Sequence, residues 1–227
     1  MDIYRYKACL FDLDGTLADT LLYIAYFGNG ALAAFGLPAI GVEVYKKLVG
    51  NGADVLIQRM LHTVGAQLPP EEVKRLRGEY DRRYEADPLA LEGPYPGLPE
   101  VLARLHKQGM RLGVLSNKPD NMNQYIAKAL YGPVLDQVRG QREGTPKKPD
   151  PTAPLEMARA WGVAPREILY VGDSGVDMET GKNAGMDACG VLWGFRDEEE
   201  LLRHGAAYLA GDPAQLEEIA NGKGKRL

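Results

Sequence analysis

The chain has 227 residues, 45% of them hydrophobic and 26% charged, which is the composition of a folded protein with room for one large domain or two modest ones. Its 27 basic and 31 acidic residues leave a net charge of −4, so it carries no global positive field to hold nucleic acid. Two cysteines exclude a disulfide framework and a zinc knuckle; Cys9 and Cys189 both lie in apolar runs and read as buried thiols of a reducing compartment, consistent with a cytoplasmic protein.

The N-terminal residues carry Arg5 and Lys7, and the apolar run that follows stops at Asp12, which is not the pattern of a signal peptide. That run, Ala8–Phe11, is too short for a helix and does not alternate, so it predicts a strand buried on both faces. Next comes an interval with no strand pattern, in which Thr20–Phe35, Ala53–Val64 and Glu71–Glu85 read as helices. The last of these opens on Pro69-Pro70-Glu71-Glu72, a good helix start. Between Asp19 and Glu43 no residue is charged, but Gly28, Asn29, Gly30, Gly36, Pro38 and Gly41 break the stretch. It therefore reads as an apolar helix that covers another element or an oligomer contact, and not as a membrane span. Glu92-Gly93-Pro94-Tyr95-Pro96-Gly97 then punctuates the chain. Beyond it, apolar runs at Leu112–Leu115, Ile168–Val171 and Ala188–Leu192 alternate with helical patterns at Pro99–Gln108, Ala153–Trp161 and Val176–Ala184. Such alternation predicts an α/β fold, a doubly wound parallel-sheet (Rossmann-like) core with an inserted small helical cap domain. Residues 1–15 and 92–227 form the core in this reading, and 16–91 the cap. The tail 221–227 reads as a mobile, solvated end.

Polar clusters follow the predicted strands. They are Asp12-Leu13-Asp14-Gly15-Thr16, Ser116-Asn117-Lys118-Pro119 and Gly172-Asp173-Ser174-Gly175-Val176-Asp177, with Lys147-Lys148-Pro149-Asp150-Pro151 between the last two. Any one of them also suits a solvated turn or a helix cap. Ligands of open parallel sheets bind beyond the carboxyl ends of the strands, so all four clusters can meet in one crevice. Asp12, Asp14, Asp173 and Asp177 would repel one another there unless a proton or cation joined them. Hard oxygen ligands without His or Cys suit Mg²⁺. Lys148, Ser116 and Asn117 add a cation and hydrogen-bond donors, which fit a phosphate group. Lys147 is the rival of Lys148, and the Lys-Pro pairing favours Lys148. Lys118 reads as a solvated charge.

These four clusters resemble the motifs of the haloacid dehalogenase-like hydrolase superfamily, and the resemblance covers nearly the whole chain. Val49-Gly-Asn-Gly-Ala-Asp-Val-Leu56, Tyr95-Pro-Gly97 and Tyr170-Val-Gly-Asp-Ser174 look like its phosphoglycolate phosphatase subgroup. The resemblance implies a Mg²⁺-dependent phosphatase that hydrolyses a small phosphomonoester, 2-phosphoglycolate-like, through an aspartyl-phosphate. Asp12 would be the nucleophile and Asp14 the general acid and base. Asp12, the backbone carbonyl of Asp14 and Asp173 would hold the metal, with Asp177 supporting its shell, while Ser116, Asn117 and Lys148 would bind the phosphate. In the cap, Gly50, Asn51 and Gly52 are candidates for backbone approach to a small ligand, or simply a helix–helix turn. Arg59 is a candidate for a substrate carboxylate, or a surface residue.

Within that superfamily, Asp14 and Asp173 speak against dehalogenation, which needs no metal. A mutase is disfavoured because Leu22–Phe27 has no His and Asn51–Asp54 no base. Nothing marks Lys46 or Lys47 as the activated lysine of a phosphonate hydrolase. A sugar-phosphate, nucleotide or pyrophosphate phosphatase stays open, as does a non-catalytic phosphate-binding module. The expected partner is a small phosphorylated metabolite, with neither nucleic acid nor membrane, and the oligomeric state is open between monomer and homodimer.

Overall fold

Four consecutive apolar residues make the first strand, β1 (Ala8–Phe11), and none of them is exposed. A strand buried on both faces belongs at the centre of a parallel sheet, and β1 lies there. A computed structural model describes residues 6–86 and 93–227. Along the chain β1 is followed by β2 (Ala18–Asp19), then four helices: α1 (Leu21–Ala34), α2 (Val42–Leu48), α3 (Ala53–Thr63) and α4 (Pro70–Ala86). The chain returns through β3 (Gly93–Pro94), α5 (Leu98–Lys107), β4 (Arg111–Pro119), α6 (Asp120–Tyr131), β5 (Gln137–Gln141) and α7 (Thr152–Trp161). It ends with β6 (Ile168–Gly172), α8 (Gly175–Asn183), β7 (Asp187–Val191), α9 (Glu198–Arg203), β8 (Tyr208–Ala210) and α10 (Pro213–Ala220).

The main sheet has the order β5-β4-β1-β6-β7-β8, and every neighbouring pair in it is parallel. The chain fills one side of β1 with β4 and β5, then crosses to the other side for β6, β7 and β8. That reversal is the switch point of a doubly wound sheet. Phe11 is in register with Val114 of β4 and Val171 of β6, so the residues just beyond these positions share one rim. The fold is the expected α/β class. Side chains of β1 alternate between two apolar clusters: Cys9 and Phe11 join the larger one, Ala8 and Leu10 the smaller, with Leu115, Met157 and Tyr170.

Helices α1 to α4 are inserted between β2 and β3, which pair antiparallel as Ala18–Pro94 and Asp19–Gly93 and close the base of the insertion. The expected boundary at 91/92 lies outside the described residues. The apolar stretch after Asp19 becomes α1, which packs mainly on α4; among the described residues no helix is long and apolar enough to cross a membrane. Cys9 and Cys189 are both buried.

The structure departs from the sequence reading in three places. Strands β2, β3, β5 and β8 and helices α2, α6, α9 and α10 have no counterpart among the elements expected from the sequence. Strand β4 extends through Ser116-Asn117-Lys118, so that motif rides on the strand itself, past a register shift between Leu115 and Pro119. The C-terminal tail is fastened: Leu227 N–H donates to Ala207 O at 3.0 Å, and Arg226 pairs with Asp187 at 2.8 Å. Because Leu10 is fully buried in the sheet's centre, Leu10→Ala should lower the unfolding free energy by about 2–5 kcal/mol, read as a lower urea midpoint. An unchanged midpoint would contradict that placement.

Candidate active site

Asp12 follows β1, and its N–H donates to Val171 O of β6 at 2.9 Å, which carries the strand geometry one residue past the sheet. Asp14 lies two residues on, with Leu13 buried between. Gly15 then turns the chain with φ +79°; a Cβ there would come within 2.2 Å of an Asp173 carboxylate oxygen, so only glycine lets the two segments approach. From the neighbouring strands come Ser116, Asn117 and Lys118 on β4 and Asp173 just past β6, all buried.

Lys148 sits at the centre. Its Nζ lies 2.8 Å from Asp12 Oδ1 and 2.8 Å from Asp177 Oδ1. Lys147, its rival in the sequence, points to the helical insertion instead, 3.6 Å from Asp54. Burial works against the charge of Lys148, but Asp12 and Asp177 outweigh it and raise its pKa well above the ordinary lysine value. Asp177 is fully buried at the third helical position of α8, and its Oδ2 accepts from the Oγ and N–H of the capping residue Ser174, at 2.5 and 3.2 Å.

Asp12, Asp173 and Asp177 are the one group of three metal-capable ligands among the described residues; their oxygens lie within 4.8 Å of one another, and they can hold a metal ion. Burial pushes Asp12 up to about 6, opposed by Lys148 and helped by Asp177. Burial likewise raises Asp173 well above the carboxylate range, reinforced by Asp177 and Asp12, although Phe195 N–H donates to its Oδ2 at 2.7 Å. Carboxylates pushed upward together are short of positive charge.

Above this floor the helical insertion walls one side of a half-open cavity of about 150 Å³. Asn117 Nδ2 donates to Gly50 O at 3.2 Å, and Arg196, from the loop after β7, donates to the carbonyls of Lys46 and Val49. The sequence expectations for the insertion divide here. Gly50 and Gly52 line the cavity, whereas Asn51 and Arg59 line a neighbouring cleft. Arg59 is corrected: it donates to Leu48 O at 2.9 Å and to Asn51 Oδ1 at 2.8 Å, so it staples the turn and does not face the cavity. The cationic side chain of the insertion that does line the cavity is Arg77 on α4, already paired with Asp54 and, at 3.0 Å, with Asp81. Nothing in a helix with four arginines marks Arg77 out from the sequence.

Two further residues differ from expectation. The Asn117 carboxamide is taken up by its neighbours: its Oδ1 accepts from Lys148 N–H at 3.0 Å, and its Nδ2 faces Gly50 O and Lys148 O. Lys118 is 8% exposed, and its Nζ pairs with Asp14 Oδ1 at 3.0 Å. Its place in the Ser-Asn-Lys cluster at a strand end was the available signal.

The chain matches the family model described as haloacid dehalogenase-like hydrolase over residues 9–191. It is 33% identical to the N-acetylmuramic acid 6-phosphate phosphatase of Pseudomonas aeruginosa over 217 residues, covering 95% of each chain. It is 32% identical to the phosphoglycolate phosphatase of Vibrio cholerae over 221 residues, covering 94% of this chain and 96% of that one. Among solved structures, a predicted phosphoglycolate phosphatase from Haemophilus somnus superposes with a TM-score of 0.88 at 29% identity, covering 94% of this chain and 97% of that one. The resemblance read from the four motifs is confirmed, and the chain belongs to the haloacid dehalogenase-like hydrolase family.

Proposed function

We propose that the protein is a Mg²⁺-dependent phosphatase that hydrolyses a small phosphomonoester, 2-phosphoglycolate-like, through an aspartyl-phosphate at Asp12, with residues 16–91 acting as the cap over a core of 1–15 and 92–227. One observation carries this reading. A buried aspartate at the switch point of the sheet borders a half-open cavity, with a lysine 2.8 Å from its carboxylate and two further carboxylates beside it.

An Asp12 carboxylate oxygen attacks phosphorus, and the bond to the leaving oxygen breaks as Asp14 delivers a proton to that oxygen. Asp14 then takes a proton from the water that attacks phosphorus, and the bond between Asp12 and phosphorus breaks to release phosphate. Lys148 and Ser116 hold the phosphoryl oxygens as charge shifts among them. Asn117 contributes by fixing the Lys148 backbone and the Gly50 turn. The donor set fits a hard divalent cation, since three crowded carboxylates surround it with no softer ligand in the group. Asp12, the Asp14 carbonyl and Asp173 would hold Mg²⁺, with Asp177 supporting them while bound to Lys148 and Ser174. When bound, the ion offsets the repulsion between Asp12 and the phosphate.

A sugar phosphate is the second reading. Tyr80 and Tyr84 supply aromatic wall to the cavity, and Arg77 there is already neutralised by Asp54 and Asp81, a setting suited to a hydroxylated leaving group. The kcat/KM values for 2-phosphoglycolate and N-acetylmuramic acid 6-phosphate, measured side by side, decide between the two. We expect 2-phosphoglycolate to be favoured; a clear preference for the amino-sugar phosphate overturns that and establishes the second reading.

Asp12→Asn keeps the size of the side chain and removes its nucleophilic charge, so kcat should fall by about 10³ or more with the fold retained. A variant that keeps a tenth of the wild-type rate contradicts the assignment. The raised Asp12 also sets a pH dependence. Its stabilising contribution to the metal-free fold is fully present below its ordinary value of 3.8 and is lost as pH rises to about 6, where the carboxylate becomes available to a cation. Saturating Mg²⁺ should therefore raise Tm by several degrees at about pH 7.5 and little at about pH 5. Equal shifts at both pH values would contradict the placement of the ion at these carboxylates.

A further inference from the structure

Lys118 is a lysine in the protein interior, and its surroundings define a second task beside the chemistry of Asp12. Its Nζ lies 3.0 and 3.3 Å from the two carboxylate oxygens of Asp14. On its other side it donates to the Tyr84 hydroxyl at 2.6 Å and lies 4.4 Å from the centre of the Tyr84 ring. Tyr84 belongs to α4, near the end of the helical insertion, whereas Lys118 and Asp14 belong to the sheet rim. The Tyr84 ring is itself wedged: Tyr23 meets it edge-on at 5.0 Å, Phe27 lies at 5.4 Å and Tyr80 at 5.8 Å. Its hydroxyl therefore occupies a point fixed by the packing of α1 against α4.

A lysine side chain is long and rotates freely, so one ion pair alone does not fix where it holds a carboxylate. Two opposed partners do. With Tyr84 in place, the ammonium is clamped between a hydroxyl and a ring face on the cap and a carboxylate on the core. Without Tyr84, Asp14 keeps an ion-pair partner whose own position is no longer set.

We propose that Lys118 and Tyr84 are positioning residues for Asp14: Tyr84, reaching from the cap, fixes the Lys118 ammonium, which fixes the acid–base carboxylate against the leaving oxygen. This rests on the phosphatase reading and on Asp14 as its general acid. The consequence is that protonation of the leaving group is efficient only with the cap seated, while attack by Asp12 on phosphorus does not need Tyr84.

Leaving groups separate these steps. An alkoxide needs a proton as it departs, whereas 2,4-dinitrophenolate departs without one. The experiment compares kcat/KM for 2,4-dinitrophenyl phosphate with that for an alkyl phosphate, either 2-phosphoglycolate or N-acetylmuramic acid 6-phosphate, whichever the wild type turns over. Tyr84→Phe keeps the ring and its packing and removes only the hydroxyl. It should lower kcat/KM for the alkyl phosphate about tenfold, the worth of one hydrogen bond to a charged group, and change the aryl value by less than about twofold. Lys118→Met should show the same selectivity with a larger loss. Asp14→Asn sets the scale, with a selective loss of about 10² or more. Equal losses on both substrates in Tyr84→Phe and Lys118→Met would show a merely structural role and overturn the proposal. So would no loss on either substrate. An Asp14→Asn variant that loses both activities equally would instead overturn the general-acid assignment, a result distinct from failure of the Tyr84–Lys118 link.

Discussion

Three buried carboxylates around one buried lysine are the constraint on which this structure depends. Asp12 and Asp177 each lie 2.8 Å from Lys148, and Asp173 shares their space, with no ion pair to a lysine or arginine among the described residues. Removing charges from water is expensive, and a set left short of positive charge holds its acids in the protonated form. The surrounding architecture supplies what opposes that cost. The Ser174 hydroxyl and N–H serve Asp177, Phe195 N–H serves Asp173, and Asn117 pins the backbone of Lys148. Glycine at position 15 lets Asp173 come close. The remaining shortage of positive charge is what makes the cluster a receptor for a divalent cation and an incoming phosphate.

The sheet delivers these groups to one place because β1 lies between β4 and β6 and all three run the same way. Each strand ends on the same rim, so residues about 100 and 160 positions apart in sequence become neighbours. The helical insertion leaves from that rim and folds back over it. It shares one apolar cluster with the core, and polar ties add to that: Asn117 to Gly50, Arg196 to Lys46 and Val49, and Lys118 to Tyr84.

The central strands were legible in the sequence because burial on both faces demands an unbroken apolar run, as at Ala8–Phe11 and Ile168–Val171. Edge strands carry no such demand. Gln137–Gln141 is half-buried and polar, and Tyr208–Ala210 is short, so neither leaves a run to detect. Likewise Asp12, Asp14, Asp173 and Lys148 stand out because a strand end gives each a fixed address. The residues of the insertion have none. Arg59 and Arg77 are both arginines on amphipathic helices, and only three-dimensional packing assigns one to the Leu48–Asn51 turn and the other to the cavity. A lysine is usually solvated, so local pattern gives Lys118 no reason to be buried; its burial involves Tyr84 of the insertion, 34 positions away, which no local pattern connects to it.

The central claim is that the phosphoryl group passes through Asp12, and an acyl phosphate can be caught chemically. The protein is mixed with Mg²⁺ and a phosphomonoester, quenched in acid during turnover, treated with borohydride and digested, and the peptide that holds position 12 is weighed. The account predicts reduction of that aspartate alone to homoserine, dependent on substrate and absent in Asp12→Asn. Reduction at another carboxylate, or full turnover with position 12 never modified, would contradict it.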